Sequence, residues 1–504
     1  MQNGYCRNQQ GNLEPMNVTN LLATQASQTP DASAIATNMG ALSFADLDRA
    51  VSRSAKSFQD QGLESGDWVG ILLAAPVQNL VASLAVARLG AGQVPIYTSD
   101  KPAAVRQLCK SLNIDWVISD STGASPWTRT LAPPPGGLAA LKALRPIDFP
   151  IDSDGESLFT VMRTSGTSAG KPKLGYLTQA AGVERISVQN DFAPGDRFLQ
   201  LLGGEYYSAR QDYIRCISAG GCAVFDETVT VRNLARRAAD LGINVLCGTL
   251  VHANRLLEIA PEATPLLPGL RNFKLSSSAI PEALRPQIRS RLSPNLHIYY
   301  SMTEVGRVSV LRPEMVGQSA GSVGPPGPGI EVEIIGDDGA VLTGGEIGRL
   351  KVKSAAMIAR YLGDAEAFAG AISGGWFQTE DMVSINDAGE LIHHGRADDV
   401  MIYDGINIYP AEIENVLLRH VDVIEAAAFP IPGGARGQMP GAAVVVRAGA
   451  RAMDLQDHCH EMLGERAPVQ ILRLRELPKN AAGKVVTSEL TELAQNAAAG
   501  GAGR

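Results

Sequence analysis

A run of small, hydroxyl-bearing and cationic residues follows the apolar segment at residues 158–162. Small residues let main-chain N–H groups approach an anion, hydroxyls add donors, and lysines supply positive charge, so the run suits a polyphosphate. A solvated surface loop would have the same composition. The Walker pattern does not fit, because three rather than four residues separate Gly166 from Gly170 and Pro172 follows Lys171. The run, called the phosphate-loop segment below, is Thr164, Ser165, Gly166, Thr167, Ser168, Ala169, Gly170, Lys171, Pro172 and Lys173.

Four more segments carry residue types that could act on a nucleotide. A carboxylate such as Glu304 suits a hard cation like magnesium, and a carboxylate such as Asp381 can accept hydrogen bonds from two vicinal hydroxyls. A lysine such as Lys484 can stabilise negative charge that redistributes at phosphorus. Taken singly, these residues also fit a surface carboxylate, a turn aspartate and an exposed turn lysine. The segments are residues 299–304 (YYSMTE), 376–381 (WFQTED), 395–414 (GRADDVMIYDGINIYPAEIE) and 478–484 (PKNAAGK).

Together, and in this order, the five segments resemble the signatures of the adenylate-forming (ANL) superfamily, which comprises acyl-CoA synthetases, adenylation domains of peptide synthetases and luciferases. The resemblance extends over residues 164–484, nearly the whole chain. The sequence departs from the family patterns at single positions: Ala169 is one residue more than the usual spacing, and Leu174 precedes the glycine after Lys173. Ser301 and Glu380 stand where glycine is usual, and Met401 is the one departure in the longest motif.

The resemblance implies a role for each matching residue. Thr303 would contact the α-phosphate, Glu304 would help to hold magnesium, and Asp381 would bind the ribose hydroxyls. Arg396 would pair with ribose and phosphate oxygens, Asp398 would be the hinge of a mobile small domain, and Lys484, with Thr303 and Glu304, would be catalytic. The implied ATP/AMP-binding residues are Thr164, Ser165, Gly166, Thr167, Ser168, Gly170, Lys171, Lys173, Tyr300, Thr303, Asp381 and Arg396.

By the same resemblance, the acyl pocket would be lined by Glu205 and Tyr206 together with Ser276, Ser277, Ser278 and Ala279. Many acyl-CoA synthetases carry an aromatic residue followed by histidine near residue 206, but this chain has no histidine there. Glu205 has two interpretations: a counter-ion for a substrate amine, as in peptide-synthetase adenylation domains, or a solvated loop carboxylate. Thr487 stands where an arginine often follows the catalytic lysine, which leaves the binding of CoA phosphate open.

The activity that the resemblance implies is ATP- and Mg²⁺-dependent activation of a carboxylic acid to an acyl-adenylate, followed by transfer to the thiol of CoA. The alternative acceptor is a carrier protein. Only 20 residues follow Lys484, so we expect such a carrier to be a separate chain. A third hypothesis is a nucleotide-binding protein without turnover, but the presence of Lys484, Glu304 and Asp381 favours an enzyme. The identity of the acid is not readable from the sequence.

The elements that must position these residues follow from hydrophobic periodicity. Apolar strands alternate with helical patterns up to about residue 300, for example a helix ending at Gly90 and a buried strand at Val94–Tyr97, which predicts parallel sheets with helices on their faces. Residues 330–354 are strand-like with hairpin turns. We therefore predict an α/β fold: a large domain (1–395) of α/β subdomains plus a β-rich subdomain, a hinge (396–400) and a small mobile α+β domain (401–504).

Composition limits the remaining classes. A formal charge of −8 and a pI near 5.5, without a basic cluster, argue against nucleic acid as a partner. No signal-like or membrane-spanning apolar segment is evident, and the six cysteines are scattered without a C-x-x-C pair. We therefore expect a cytoplasmic protein with reduced thiols, no zinc and no membrane association; the sequence leaves the oligomeric state open.

Overall fold

The structure is a computed structural model of the whole chain. It describes residues 5–7, 13–15, 17–120, 129–152, 154–163, 173–203, 206–276, 279–447, 454–479 and 485–501. Most of the phosphate-loop segment, together with Glu205, Ser277, Ser278 and Lys484, therefore lies outside the described residues.

The first half of the large domain alternates strands with helices, as predicted. Helix α2 begins where Ser43 and Asp46 form a reciprocal capping box, and α3 ends at Gly90, which adopts φ +80°. Because α3 is buried on nearly all sides, it packs between layers rather than against solvent. The elements are β1 (Tyr5–Arg7), β2 (Leu13–Pro15), α1 (Thr19–Gln28), β3 (Ser33–Thr37), β4 (Gly40–Ser43), α2 (Phe44–Asp60), β5 (Trp68–Leu72), α3 (Pro76–Leu89), β6 (Gly92–Pro95), α4 (Pro102–Ser111), β7 (Trp116–Ser119), β8 (Arg129–Leu131), α5 (Leu138–Lys142) and β9 (Leu158–Arg163).

The second half continues the alternation up to an antiparallel strand pair. The strand predicted at Val94–Tyr97 begins and ends two residues earlier, so that Tyr97 lies just past the carboxyl end of β6. The elements are β10 (Leu174–Thr178), α6 (Gln179–Ser187), β11 (Arg197–Gln200), α7 (Tyr207–Ser218), β12 (Cys222–Phe225), α8 (Leu234–Asp240), β13 (Val245–Gly248), α9 (Leu250–Ile259), β14 (Asn272–Leu275), α10 (Arg285–Arg291), β15 (Leu296–Met302) and β16 (Gly306–Leu311).

The strands from β3 to β16 form two large sheets, whereas β1 and β2 pair with each other in a separate two-stranded sheet. The first has seven strands in the order β8-β7-β5-β6-β9-β10, followed by a short strand at Arg360–Tyr361. The first five strands in this order are parallel to one another. The second has eight strands in the order β16-β15-β14-β13-β11-β12-β3-β4, with β15 through β3 parallel. Parallel strands share a carboxyl edge, where ligands of α/β folds bind. The segments after β9, β11, β14 and β15 contain most of the predicted site.

The β-rich region forms a separate five-stranded antiparallel sheet in the order β17-β18-β21-β20, with β22 paired to β21, as the strand pattern from residue 330 predicts. Its core includes Val305 and Val308, which lie beside the end of β15. This packing brings the sheet to the carboxyl edge of the second sheet. The elements are β17 (Glu331–Ile335), β18 (Gly348–Lys353), β19 (Arg360–Tyr361), α11 (Ala365–Ala371), β20 (Ile372–Ser373), β21 (Trp376–Ile385) and β22 (Leu391–Arg396).

The C-terminal region has its own core, in which β25 and β26 pair antiparallel and β26 and β27 pair parallel. It contacts the large domain where the Glu282 main-chain N–H donates to Asn415 Oδ1 at 3.1 Å and where Ala283 packs on its core. No helix in the described part of the chain has the length and apolarity to cross a membrane. The elements are β23 (Met401–Tyr403), β24 (Ile406–Ile408), α12 (Pro410–Leu418), β25 (Val423–Pro432), β26 (Gln438–Val446), α13 (Asp454–Leu463), β27 (Gln470–Leu474) and α14 (Thr487–Gly501).

Candidate active site

The turn that carries Thr303 and Glu304 connects the antiparallel strands β15 and β16 at the carboxyl edge of the second sheet. Gly306 closes this turn with φ +92°, and a Cβ on it would lie 3.3 Å from Arg185 Nε. Both side chains of the predicted pair are half-buried. The turn is therefore built against another residue, Arg185, rather than projecting freely into solvent.

Arg185, in α6, fixes the main chain of this turn. Its Nη2 donates to the carbonyl oxygens of Thr303 and Glu304, at 3.1 Å each, and its Nε donates to Ala356 O at 2.6 Å. Its Nη1 lies 3.0 Å from Met162 Sδ, in the strand that leads into the phosphate-loop segment. One fully buried guanidinium thus links β9 to the turn after β15. Sequence reasoning missed this residue, because α6 also contains Glu184 and a charge there gives no distinct signal.

The Glu304 carboxylate is oriented by Tyr361. The Tyr361 hydroxyl donates to Glu304 Oε1 at 2.6 Å, and the Ile358 N–H donates to Glu304 O at 2.8 Å. Burial and the neighbouring Glu304 charge both raise the pKa of Tyr361, so its hydroxyl remains a donor at neutral pH. Lys173 Nζ, in the last residue of the phosphate-loop segment, lies over the Tyr361 ring, 5.0 Å from its centroid. Among the described residues, Glu304 Oε2 has no hydrogen-bond partner.

Asp381 lies within strand β21, not in a turn, and is nearly buried. The pairing of β21 with β18 and with β22 is irregular beside this residue, and such bulges re-aim side chains. Tyr300 donates its hydroxyl to Asp381 Oδ2, and His393 Nε2 lies 3.8 Å from Oδ1. Burial alone would raise the pKa of Asp381, but His393, Tyr300 and the charge of Arg396 together lower it. The second and third sequence motifs therefore meet at one ionised carboxylate.

Arg396 and Asp398 form a two-pronged ion pair. Nε and Nη2 of Arg396 donate to the two Asp398 oxygens at 2.8 and 3.0 Å, whereas Arg396 Nη1 lies 3.9 Å from Asp381 Oδ1. Arg396 is the last residue of β22, and Asp398 lies in the turn before β23. The residue predicted to bind nucleotide and the residue predicted as hinge are thus in direct contact, an arrangement that their spacing of two residues did not indicate.

The predicted acyl-pocket residues that the structure describes are spread along the carboxyl edge. Tyr206 precedes α7, is half-buried and packs on Tyr97, with 4.8 Å between ring centroids. Ser276 directly follows β14 and is half-buried, whereas Ala279 is exposed. Sequence reasoning missed Tyr97, because nothing in the sequence relates it to a segment more than a hundred residues away. The roles of Tyr206, Ser276 and Ala279 as pocket walls remain predictions.

Comparison with known proteins identifies the family. The AMP-binding enzyme family matches residues 22–362, and the AMP-binding enzyme C-terminal domain matches residues 412–484. The chain belongs to the AMP-binding enzyme family. This result confirms the superfamily and fold class expected from the five motifs.

Individual relatives show the range of proteins that resemble this chain. The sulfoacetate–CoA ligase of Cupriavidus necator is 28% identical, over 92% of this chain and 95% of that protein. The probable non-canonical nonribosomal peptide synthetase CymA of Salinispora arenicola is also 28% identical, over 94% of this chain but only 6% of that protein. Among solved structures, the O-succinylbenzoate CoA synthetase of Bacillus subtilis in complex with ATP and magnesium is 25% identical, has a TM-score of 0.81 and matches 94% of this chain and 99% of that one.

Proposed function

We propose that this chain is an AMP-forming acid–CoA ligase. In the first step, a carboxylate oxygen of the acid attacks the α-phosphorus of ATP, and the bond to the β-phosphate breaks to release pyrophosphate and leave an acyl-adenylate. In the second step, the CoA thiol attacks the acyl carbon, loses its proton and displaces AMP. The family membership and the contact between Tyr300 and Asp381, which unites two distant motifs, support this proposal most directly.

The described residues account for much of the first step. Asp381 accepts hydrogen bonds from the ribose hydroxyls, and Arg185 keeps the Thr303 turn in place for the α-phosphate. Lys173 and the phosphate-loop residues Thr164–Lys171 neutralise the phosphates, and Lys484 bridges the attacking carboxylate and the α-phosphate. The hinge role of Asp398 allows the small domain to bring Lys484 to the site and withdraw it. The phosphate-loop and Lys484 roles are carried over from the family resemblance.

Magnesium fits the residues at Glu304. In the described part of the chain, no three His, Cys, Asp or Glu side chains are grouped as a metal site, so the protein builds no metal cage of its own there. Magnesium commonly binds through one or two carboxylates together with substrate phosphates. Glu304, with one oxygen held by Tyr361 and the other without a hydrogen-bond partner among the described residues, suits that mode. When bound, the ion would neutralise charge on the phosphate oxygens.

The acceptor has a second candidate, which is a carrier protein. The similarity to CymA is the observation that favours it, whereas the CoA ligases that match this chain over nearly their whole length favour CoA. Those ligases differ in their acids, since their names specify sulfoacetate, indoleacetate and 2-succinylbenzoate. The acid used by this chain therefore has to be inferred from its own residues.

The experiment is measurement of pyrophosphate release from ATP with a panel of carboxylic acids, followed by detection of a thioester with free CoA. We expect acid-dependent release and a CoA thioester. In the Lys484→Ala variant, adenylation should decrease far more than ATP affinity; equal losses in both would contradict the role of this lysine. Release without a CoA thioester would favour the carrier protein, and the absence of release with every acid would favour a binding protein.

A further inference from the structure

Arg210, in the first turn of α7, is a buried cation with an incomplete set of partners. Its side chain is 2% exposed. Nη1 donates to the neutral Asn79 Oδ1 at 3.0 Å, but Nη2 has no hydrogen-bond partner among the described residues. The next residue, Gln211, is also buried, and its Nε2 likewise has no partner there. Among the described residues, two successive side chains of this helix thus carry a buried donor without an acceptor.

The other buried arginines in the described part of the chain are better satisfied. Each contacts a carboxylate or at least two main-chain carbonyl groups, whereas Arg210 contacts one amide oxygen. Their acceptors are Asp48 for Arg88, three carbonyl groups for Arg185, Asp212 and Arg185 O for Arg215, two carbonyl groups for Arg285, and Asp191 for Arg307.

A purely structural role does not explain Arg210. A buried charge without a counter-ion is strongly destabilising, and a cation in the first turn of a helix also opposes the helix dipole. Burial lowers the pKa of Arg210 to about 10, so the group is still protonated at neutral pH. The described surroundings of Arg210 therefore lack an anion, and the folded protein would accommodate one well there.

The position of Arg210 relates it to the acid rather than to a remote surface. Asn79 lies near the start of α3, and Tyr97 just follows β6, so the carboxyl edge of the first sheet faces the start of α7 here. The charge of Arg210 is close enough to Tyr97 to oppose the rise in its pKa that burial causes. The Tyr97 ring packs on the predicted pocket residue Tyr206. Arg163, which directly precedes the phosphate-loop segment, also lies over the Tyr97 ring, with Cζ 4.4 Å from the ring centroid.

We propose that Arg210 binds a second anionic group of the acid substrate, a carboxylate or sulfonate, while the first carboxylate reacts with ATP. This inference rests on the proposed function and specifies its substrate class as acids with two negative charges. Asn79 holds the guanidinium through Nη1, which leaves Nη2 to donate to the ligand. An acid with an uncharged end would leave Arg210 buried and unpaired, so the site discriminates against it.

The test compares acids matched in chain length, one with and one without the second charge. Malonate and sulfoacetate are paired with propionate, succinate with butyrate, glutarate with valerate and adipate with hexanoate. Pyrophosphate release gives kcat/KM for each acid, and thermal shifts in the presence of AMP give binding without turnover. For at least one pair, we expect the wild-type protein to favour the dianionic acid by about 30-fold or more, in the range typical of a buried charged pair.

Three variants separate a specificity role from a structural one. Arg210→Gln should abolish the preference, and Arg210→Lys should retain part of it. Arg88→Gln is the matched control: this arginine is equally buried, but its partners are Asp48 and Ser52, so its loss should lower stability without changing the preference among acids.

Several outcomes would overturn the inference. One is a wild-type protein with no preference for dianionic acids in either turnover or thermal shift. A second is an Arg210→Gln variant in which kcat/KM falls by the same factor with every acid, which indicates a structural role. A third is an Arg210→Gln variant in which the KM for ATP rises with every acid, which indicates a phosphate contact. Failure of the proposed function is distinguishable, because no acid of either kind would then support pyrophosphate release.

Discussion

The Tyr361 hydroxyl donates a hydrogen bond of 2.6 Å to the Glu304 carboxylate. Tyr361 belongs to the edge strand of the first sheet, whereas Glu304 lies in the turn at the end of β15 in the second. The contact therefore joins the two sheets at the residue proposed to hold magnesium. The bond fixes one carboxylate oxygen, while the other has no hydrogen-bond partner among the described residues.

Replacement of Tyr361 by Phe tests this arrangement. The ring still packs, but the carboxylate loses a donor, so we expect the Mg²⁺ concentration for half-maximal pyrophosphate release to rise about tenfold, since a hydrogen bond to a charged group is worth roughly 1.5–3 kcal/mol. Tyr176→Phe is the control, because the Tyr176 hydroxyl lies 3.4 Å from Glu156 O rather than at Glu304. An unchanged Mg²⁺ requirement in the Tyr361 variant would remove the orienting role.

Arg185→Lys should impair catalysis without abolishing nucleotide binding. Lysine keeps the charge but cannot donate at the same time to Thr303 O, Glu304 O and Ala356 O, so the turn loses its fixed position. We expect kcat for pyrophosphate release to decrease by about tenfold or more, with a smaller change in the KM for ATP. Arg291→Lys, whose arginine donates to Leu257 O and Ala260 O, provides the control. A variant in which only thermal stability changes would show that Arg185 is structural alone.

Asp381→Asn should relax selectivity for ribose. The carboxylate accepts from two hydroxyls in our proposal, and a site built for such donors rejects analogues that lack them. We expect the KM for ATP to rise about tenfold and the ratio of kcat/KM for ATP over 2′- or 3′-deoxy-ATP to approach one. Glu380→Gln, which changes a neighbouring carboxylate paired with Arg349 at the surface, should leave that ratio as it is. Retained discrimination in Asp381→Asn would place the ribose elsewhere.

Asp212 gives a prediction about stability and pH. Burial tends to raise its pKa, but the charges of Lys274, at 2.5 Å, and Arg215 outweigh burial and lower it. A lowered folded-state pKa means that the carboxylate stabilises the fold above the unfolded value of about 3.9, and that this contribution is lost as pH falls through the lower folded value. Asp212→Asn should therefore reduce stability by about 3–5 kcal/mol near neutral pH, because Lys274 is left unpaired.

The urea-unfolding midpoint, measured from neutral to acidic pH, checks this prediction. The difference between wild type and Asp212→Asn should be constant down to about pH 4 and should narrow only below that value. Asp240→Asn serves as the control, since its partner Arg236 is exposed and surface pairs contribute little. If the difference in urea midpoint between wild type and Asp212→Asn increased as pH fell, the pKa of Asp212 would not be lowered by folding.

Local features of the fold were predictable from the sequence. Gly90 indicated the end of α3, because a left-handed glycine acts within a few residues. The order of strands in the two large sheets was not predictable, since β12 pairs with β3 across nearly two hundred residues and no local pattern encodes that pairing. The placement of Asp381 inside a strand also needed the sheet, because the bulge depends on both neighbouring strands.

The same distinction holds for the candidate site. Thr303, Glu304 and Asp381 were identified because their motifs are contiguous. Arg185 was not, because its partners are main-chain carbonyl groups, which any residue type supplies, more than a hundred positions away. Arg210 was missed for a related reason: its significance lies in the carboxylate that is absent from its described surroundings, and a sequence does not display missing neighbours.

The fork between Arg396 and Asp398 has a consequence for how the two steps are ordered. If Arg396 binds nucleotide as proposed, its guanidinium is shared between ATP and the connection to the small domain, because its Nε and Nη2 already hold Asp398 while its Nη1 lies 3.9 Å from Asp381 Oδ1. Binding of ATP and the conformation of the segment at Asp398 are then coupled. Each changes the equilibrium of the other by the same free energy. A bound nucleotide would thereby change the conformational equilibrium of the C-terminal region through the side chain of Arg396.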